Sequence, residues 1–170
     1  MAVVSTAAAG QAAAGRGASM VLLRAPGASG RALEGEALAL VATTRLPVLV
    51  GSRADVALAA GAAGVNLPEM DIPVLEARRL LGPGALVGRS VHSLGAALTA
   101  AVQGADLILY GPIFETPSHP GTPGLGLKAL ERMVAAVPIP VVAIGGIDAA
   151  REAECLATGA AGIAAVRMFQ

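Results

Sequence analysis

Polar side chains recur just after short apolar runs of the chain. Arg24 follows one run, Glu69 and Asp71 follow another, and Ser90 and His92 follow a third. Side chains of these types bind anions, hold a metal ion or move a proton. In parallel α/β proteins, ligands bind at the carboxyl ends of the strands. If the apolar runs are parallel strands, these side chains therefore gather at one edge of the sheet.

The longest irregular stretch, residues 110–127, is rich in Pro and Gly. This composition excludes a helix or strand, and long loops inside compact domains are usually functional. The stretch carries the polar residues Glu115, Thr116, Ser118 and His119. They lie over the predicted ligand site, or else they belong to a solvated loop without a role.

A glycine pair, Gly145-Gly146, follows the apolar run of residues 141–144. Glycines at this position let backbone N–H groups approach an anion, and the start of the next helix favours negative charge. The loops after the last two strands commonly form the phosphate site of (β/α)8 barrels. The pair predicts a phosphate site, and the alternative is a glycine pair needed only for a tight turn.

The elements that position these residues are indicated by a repeated local pattern. An Ala-rich or Leu-rich segment ends in Gly, which terminates a helix, and a short apolar run follows, which is typical of a buried strand. Two further strands begin at Pro, which suits the first position of a strand. The predicted strands lie at about residues 2–5, 20–23, 47–50, 64–67, 86–90, 107–109, 140–144 and 162–166.

Eight strands alternating with helices predict an α/β fold, a compact (β/α)8 TIM barrel. An open doubly wound sheet is the alternative. Such barrels usually need about 250 residues, whereas this chain has 170. We therefore predict a single domain, residues 1–170, with the last helix short or absent from this sequence. An apolar flank left uncovered there predicts a partner subunit, most simply in a homodimer.

Composition excludes several classes of protein. Hydrophobic residues make up 55% and charged residues 14%, so the chain is not a disordered one. The formal net charge of +0 and the 2% aromatic content argue against a nucleic-acid partner. No apolar run is long enough to cross a membrane, and the N-terminus lacks the features of a signal peptide. We expect a cytoplasmic protein in which the single Cys155 is a buried, inert thiol.

Several motifs, in one order along the chain, resemble those of the thiamine phosphate synthase/TenI superfamily. Residues 111–118 (GPIFETPS), 124–127 (GLGL) and 142–147 (VAIGGI) are similar to its GPxFxTxxK, GL and AIGGI signatures. Residues 52–59 resemble its NDRVDLAL segment, residues 64–71 its GVHLGQED turn and residues 88–94 its GxSxHSL turn. The similarity extends from about residue 17 to residue 166. It implies a TIM barrel that binds a small phosphorylated ligand.

The superfamily contains synthases, which join a pyrimidine pyrophosphate to a thiazole phosphate with Mg²⁺, and TenI-type proteins, some of which aromatise a thiazole phosphate tautomer. This chain departs from the synthase pattern at four places: Leu22 replaces a Gln, Pro26 a Lys, residues 51–52 an Asn-Asp pair, and His119 a Lys. Asp71 matches the remaining metal carboxylate. The chain also departs from the tautomerases, because Pro112 stands where some of them have a catalytic His.

Three functions follow from the resemblance, in this order. The first is a TenI-type protein that binds a thiazole phosphate and tautomerises it through Glu115, His119 or His92. The second is a divergent synthase that uses Mg²⁺ on Asp71, and the third is a non-catalytic barrel that binds or senses a phosphorylated ligand. The expected substrate-binding residues are Arg24, Ser90, Thr116 and Ser118, and the expected phosphate-binding residues are Gly124, Gly126, Gly145, Gly146, Val166 and Arg167.

Overall fold

A computed structural model describes residues 1–117 and 120–169, in which eight strands alternate with seven helices. The strands are Ala2–Val4 (β1), Val21–Leu23 (β2), Val48–Gly51 (β3), Gly64–Leu67 (β4), Leu86–Val91 (β5), Leu107–Tyr110 (β6), Val141–Ile144 (β7) and Gly162–Ala164 (β8). The helices are Ala7–Gly15 (α1), Gly30–Thr43 (α2), Ala54–Ala59 (α3), Val74–Leu81 (α4), Leu94–Val102 (α5), Leu127–Ala136 (α6) and Ala149–Ala157 (α7).

The strands form one parallel sheet in chain order, from β1 to β8. A parallel bridge between Ala2 and Ala165 brings the two edges together. There the N–H of Val3 donates to the carbonyl of Ala165 at 2.9 Å, and the N–H of Ala165 donates to the carbonyl of Met1 at 3.1 Å. The predicted (β/α)8 barrel is thereby confirmed, as a nearly closed barrel.

Alternate residues of each strand pack on opposite sides of the sheet, as a strand period of two requires. A small cluster that includes Val3, Leu22, Leu49 and Leu109 fills the barrel. The residues between them, such as Leu23 and Val50, belong to a larger cluster under the helices. Both faces of the strands are therefore buried, which explains the apolar runs in the sequence.

Side-chain caps begin four of the helices. Thr6, Ser29, Ser93 and Asp148 each accept a hydrogen bond from the N–H three residues further on, at 3.0–3.2 Å. Such caps satisfy N–H groups that have no partner within the helix. They fix where each strand-to-helix loop ends, and these loops carry the polar residues of the candidate site.

Beyond the bridge residue Ala165, residues 166–169 form bends and turns and no helix. Phe169 is buried among the residues under the helices, and its carbonyl accepts a hydrogen bond from Arg16 Nη1 at 3.0 Å. Within the described residues, the eighth helix is therefore absent, as predicted, and Phe169 covers part of the flank. The predicted homodimer stays a prediction.

Cys155 is fully buried and forms no disulfide, as expected, and its inertness stays a prediction. Burial raises the pKa of this thiol above its ordinary value. No helix in the described part of the chain combines the length and the apolar character that a membrane span requires.

Candidate functional site

A cavity of about 470 Å³ opens at the carboxyl ends of the strands. Its size falls in the range of small-molecule sites, roughly 300–1,000 Å³. The apolar residues at its base, among them Leu22 and Leu109, come from inside the barrel. The expected site residues on its wall are Arg24, Ser90, His92, Thr116, Gly145, Gly146, Val166 and Arg167.

Four other expected residues do not belong to the cavity wall: Asp71, Glu115, Gly124 and Gly126. Glu115 is exposed to solvent. Asp71 Oδ1 accepts a hydrogen bond from the N–H of Ile72 at 2.8 Å, so this carboxylate shapes its own turn and does not cap α4. Ser118 and His119 lie outside the described residues.

The loop after β6 packs closely on the Gly145-Gly146 turn. The N–H of Ile113 donates to the carbonyl of Ile144 at 2.9 Å, and the N–H of Phe114 donates to the carbonyl of Gly145 at 3.0 Å. Gly145 and Gly146 have φ values of 102° and 66°. A Cβ on Gly146 would lie 2.5 Å from a backbone oxygen of this loop, so both backbone shape and space require glycine here.

Gly124 and Gly126 hold the other end of the same loop. A Cβ on Gly124 would lie 2.5 Å from the carbonyl oxygen of Ile113. The N–H of Gly126 donates to that same carbonyl at 2.9 Å. In this structure the two glycines therefore fold the loop back on itself, away from the cavity wall.

Backbone donors are available on the β7–β8 side of the cavity. Within the described residues, the N–H groups of Gly145, Gly146, Val166 and Arg167 make no hydrogen bond. Arg151 steadies this side, because its Nη1 donates to the carbonyl of Gly146 at 2.7 Å and its guanidinium lies 4.6 Å from the centre of the Phe114 ring. Free N–H groups beside a cavity are suited to a phosphate.

A second polar group of residues lies on the β2–β5 side. Arg24 and Ser90 line the cavity there, and so does Ser52, which adopts an unusual φ of 65°. Neither Arg24 nor Arg167, which follows β8 and also lines the cavity, makes a side-chain hydrogen bond or ion pair with a described residue. Two unpaired guanidinium groups at one cavity favour an anionic ligand.

Glu69 and His92 form a pair on the same wall. His92 Nδ1 lies 2.7 Å from Glu69 Oε2, and the N–H of His92 donates to the same oxygen at 2.7 Å. The exposed fractions of the two side chains are 57% for His92 and 29% for Glu69. A carboxylate that orients an imidazole is an arrangement suited to proton transfer.

Buried Arg89 holds the turn that carries Glu69. Its guanidinium donates to the carbonyls of Pro68 and Ile72 from the outer face of β5. Burial lowers the pKa of Arg89, while Asp71 and Glu69 raise it. The guanidinium of Arg89 therefore holds the loop after β4 in place.

Under the synthase alternative alone, Mg²⁺ was expected on Asp71. The described residues contain no group of three or more His, Cys, Asp or Glu that would hold a metal ion by themselves. Mg²⁺ is often bound by only one or two carboxylates together with substrate phosphates. Glu69 on the wall and Asp71 in the same turn fit an ion of that kind, bound mainly through the ligand.

Asn66 was not predicted from the sequence, and Glu69 was predicted at this edge without a role, although both line the cavity. Asn66 is the only Asn of the chain, and it lies inside an otherwise apolar strand. A polar residue on the inner face of a buried strand is the signal that would have identified it. Glu69 was noted only as following β4, because its pairing with His92 depends on β4 and β5 being neighbours.

Comparisons with known proteins agree with this geometry. The family model described as "Thiamine monophosphate synthase" matches residues 3–169. The thiamine-phosphate synthase of Methanoculleus marisnigri is 47% identical over 158 residues, which cover 91% of this chain and 75% of that protein. That of Anaeromyxobacter dehalogenans is 49% identical over 162 residues, covering 92% and 73%.

A solved structure, the thiamine phosphate pyrophosphorylase from Pyrococcus furiosus, superimposes with a TM-score of 0.87 at 34% identity. The match covers 97% of this chain and 83% of that one. The names of these relatives favour the synthase function over the TenI-type function that was placed first from the sequence. Since the family match extends over almost the whole chain and the fold agrees, the chain belongs to the thiamine monophosphate synthase/TenI family.

Proposed function

We propose that this chain is a thiamine-phosphate synthase, which joins a hydroxymethylpyrimidine pyrophosphate to a thiazole phosphate. The observation that carries the proposal is the 47–49% identity, over nine-tenths of the chain, to proteins with that name. In this reaction a C–N bond forms between the pyrimidine methylene carbon and the thiazole nitrogen. The C–O bond to the pyrophosphate breaks, and its electron pair leaves with the pyrophosphate.

The two polar sides of the cavity support this assignment, because the reaction brings together two phosphorylated substrates. The free N–H groups of Gly145, Gly146 and Val166 suit the monophosphate of the thiazole. Arg24 and Ser90, on the opposite side, suit the pyrophosphate, whose negative charge grows as it leaves.

The remaining expected residues have secondary parts in this proposal. Thr116, on the cavity wall, would contact the substrates, and Ser118 stays a candidate from the sequence alone. Arg167 would add charge beside the monophosphate. Mg²⁺, held by Glu69 or Asp71 and the pyrophosphate, would supply further positive charge to the leaving group.

The test is to incubate the purified protein with both substrates and to measure thiamine phosphate and released pyrophosphate, with and without Mg²⁺. We expect both products in equal amounts, and a reduction of about 100-fold or more for Arg24→Ala, because a charge-assisted contact to the leaving group is lost. Arg45→Ala is the matched control, since this exposed arginine lies in the loop between α2 and β3 and outside the cavity. Formation of neither product would reject the synthase.

A second candidate, tautomerisation of a thiazole phosphate, is favoured by the Glu69–His92 pair. The synthase reaction needs no group to remove a carbon-bound proton, whereas aromatisation of a thiazole tautomer does. His92→Gln separates the two, because it should abolish proton exchange at the thiazole ring and leave the C–N bond formation largely intact. If both products and proton exchange are missing but thiazole phosphate binds, the non-catalytic function is the one that remains.

A further inference from the structure

Asn66 is a buried polar residue on the inner face of the barrel. It is 5% exposed, and its Nδ2 donates to Ser90 Oγ at 2.9 Å. Its Oδ1 is the only buried side-chain oxygen or nitrogen in the described residues that has no hydrogen-bond partner. An orphaned buried acceptor costs stability, so its retention requires an explanation.

The neighbouring strand is shaped around this amide. Asn66 of β4 is paired in register with Gly88 of β5. A Cβ on Gly88 would lie 2.7 Å from Asn66 Oδ1, so a side chain at this position would require the amide to move. Ser90 follows two residues later on the same face of β5, where it meets Nδ2 of Asn66 and lines the cavity.

The hydrogen bond from Asn66 determines what the Ser90 hydroxyl can do. A hydroxyl has one proton to donate and two lone pairs to accept with. The amide N–H of Asn66 occupies a lone pair, and in the described part of the chain the Ser90 proton is donated to no acceptor. Because Ser90 lines the cavity, its hydroxyl proton is left to donate to a ligand there.

We propose that Asn66 is a positioning residue, which turns the hydroxyl of Ser90 so that it donates to an anionic oxygen of the ligand on the β2–β5 side of the cavity. The identification of that oxygen as part of a pyrophosphate rests on the proposed function. The orphaned Oδ1 is then the consequence of presenting Nδ2, and not Oδ1, to Ser90. Arg24, on the same side, supplies the charge, and Ser90 supplies a directed hydrogen bond.

The test uses Asn66→Leu, which has nearly the same shape but neither donates nor accepts, together with Ser90→Ala and the double variant. Binding of inorganic pyrophosphate is measured by calorimetry, and the melting temperature is measured for each protein. We expect Asn66→Leu and Ser90→Ala each to weaken binding about tenfold, because a hydrogen bond to a charged group is lost. The double variant should bind no more than about twofold worse than Ser90→Ala, since the two residues act through one contact.

Stability separates positioning from a merely structural role. Asn66→Leu removes the orphaned oxygen, so its melting temperature should equal or exceed that of the unaltered protein. Asn66→Asp is the second variant if Leu is not accommodated: it keeps the shape but turns the Ser90 proton toward its own carboxylate, and it should also weaken binding. Ser93→Ala is the matched control, because this serine caps α5 outside the cavity and should affect stability only.

Unchanged or tighter pyrophosphate binding by Asn66→Leu would overturn the inference, as would a double variant whose losses simply add. Absence of pyrophosphate binding to the unaltered protein would overturn it as well. If pyrophosphate binds as expected but no thiamine phosphate is formed, the proposed function fails and the role of Asn66 stands.

Discussion

The close approach of the β6 loop to Gly146 leads to a quantitative prediction for Gly146→Ala. The residue has a φ of 66°, and an added Cβ would lie 2.5 Å from the carbonyl oxygen of Glu115 and 2.8 Å from the Cβ of Phe114. A side chain at this φ costs about 1–2 kcal/mol. A contact this short with backbone requires the loop to move, which adds about 1–3 kcal/mol.

Together these costs amount to about 2–5 kcal/mol, which lowers the melting temperature of a domain of this size by roughly 5–15 °C. The displaced loop also changes the Gly145-Gly146 turn, which lines the cavity. We therefore expect Gly146→Ala to bind inorganic phosphate more weakly even at a temperature where the variant is fully folded. Thermal unfolding followed by circular dichroism, and calorimetric titration with phosphate at a temperature where the variant is folded, measure the two effects.

Gly95→Ala is the control for this experiment. Gly95 lies in α5, has no positive φ, and an added Cβ would meet nothing within 4 Å. In a helix, alanine in place of glycine raises stability by up to about 1 kcal/mol. A fall in the melting temperature of less than about 2 °C for Gly146→Ala, which corresponds to under 1 kcal/mol, would contradict the proposed clash, as would equal changes in both variants.

Three further predictions concern single residues away from this turn. Ser52→Gly should raise the free energy of unfolding in urea by up to about 1 kcal/mol, because it relieves the positive φ of 65°; a decrease would mean that the serine side chain is stabilising. Arg89→Met should lower stability by about 1–3 kcal/mol and speed amide hydrogen exchange in residues 68–72, because the carbonyls of Pro68 and Ile72 lose their donor; unchanged exchange there would contradict this role. Cys155, whose pKa is raised by burial, should not react with a disulfide reagent in the folded protein at pH 8 but should react fully in denaturant; rapid reaction without denaturant would show that the thiol is accessible.

The strands of the barrel could be predicted from the sequence to within one or two residues. The strand predicted at residues 140–144 is observed as β7 one residue shorter, from Val141, and the fifth extends one residue beyond its prediction, to Val91. The eighth was predicted to reach Val166, but β8 ends at Ala164. Val166 lies beyond the last ladder pair, Ile144 with Ala164, and there it bends to line the cavity. Strand ends depend on such pairings between strands, which the local pattern does not contain.

The candidate site could be predicted only in part. Eight of the expected residues line the cavity, since the rule that sites lie after parallel strands needs only the strand positions. Gly124 and Gly126 were expected to bind phosphate; in this structure they pack the loop onto Ile113, and their contact with a phosphate stays a prediction. A glycine motif looks the same in sequence whether its backbone faces a ligand or another segment of the chain.

The sequence by itself determined the alternation of buried strands and short helices, because Gly, Pro and apolar runs act on the chain locally. Tertiary structure alone decided which polar groups meet. Asn66 reaches Ser90 across 24 residues, and Glu69 reaches His92 across 23. These contacts exist because β4 and β5 pair in one register. If β5 were shifted by one residue, its side chains would exchange the inner face of the sheet for the outer face, and the contacts would be lost.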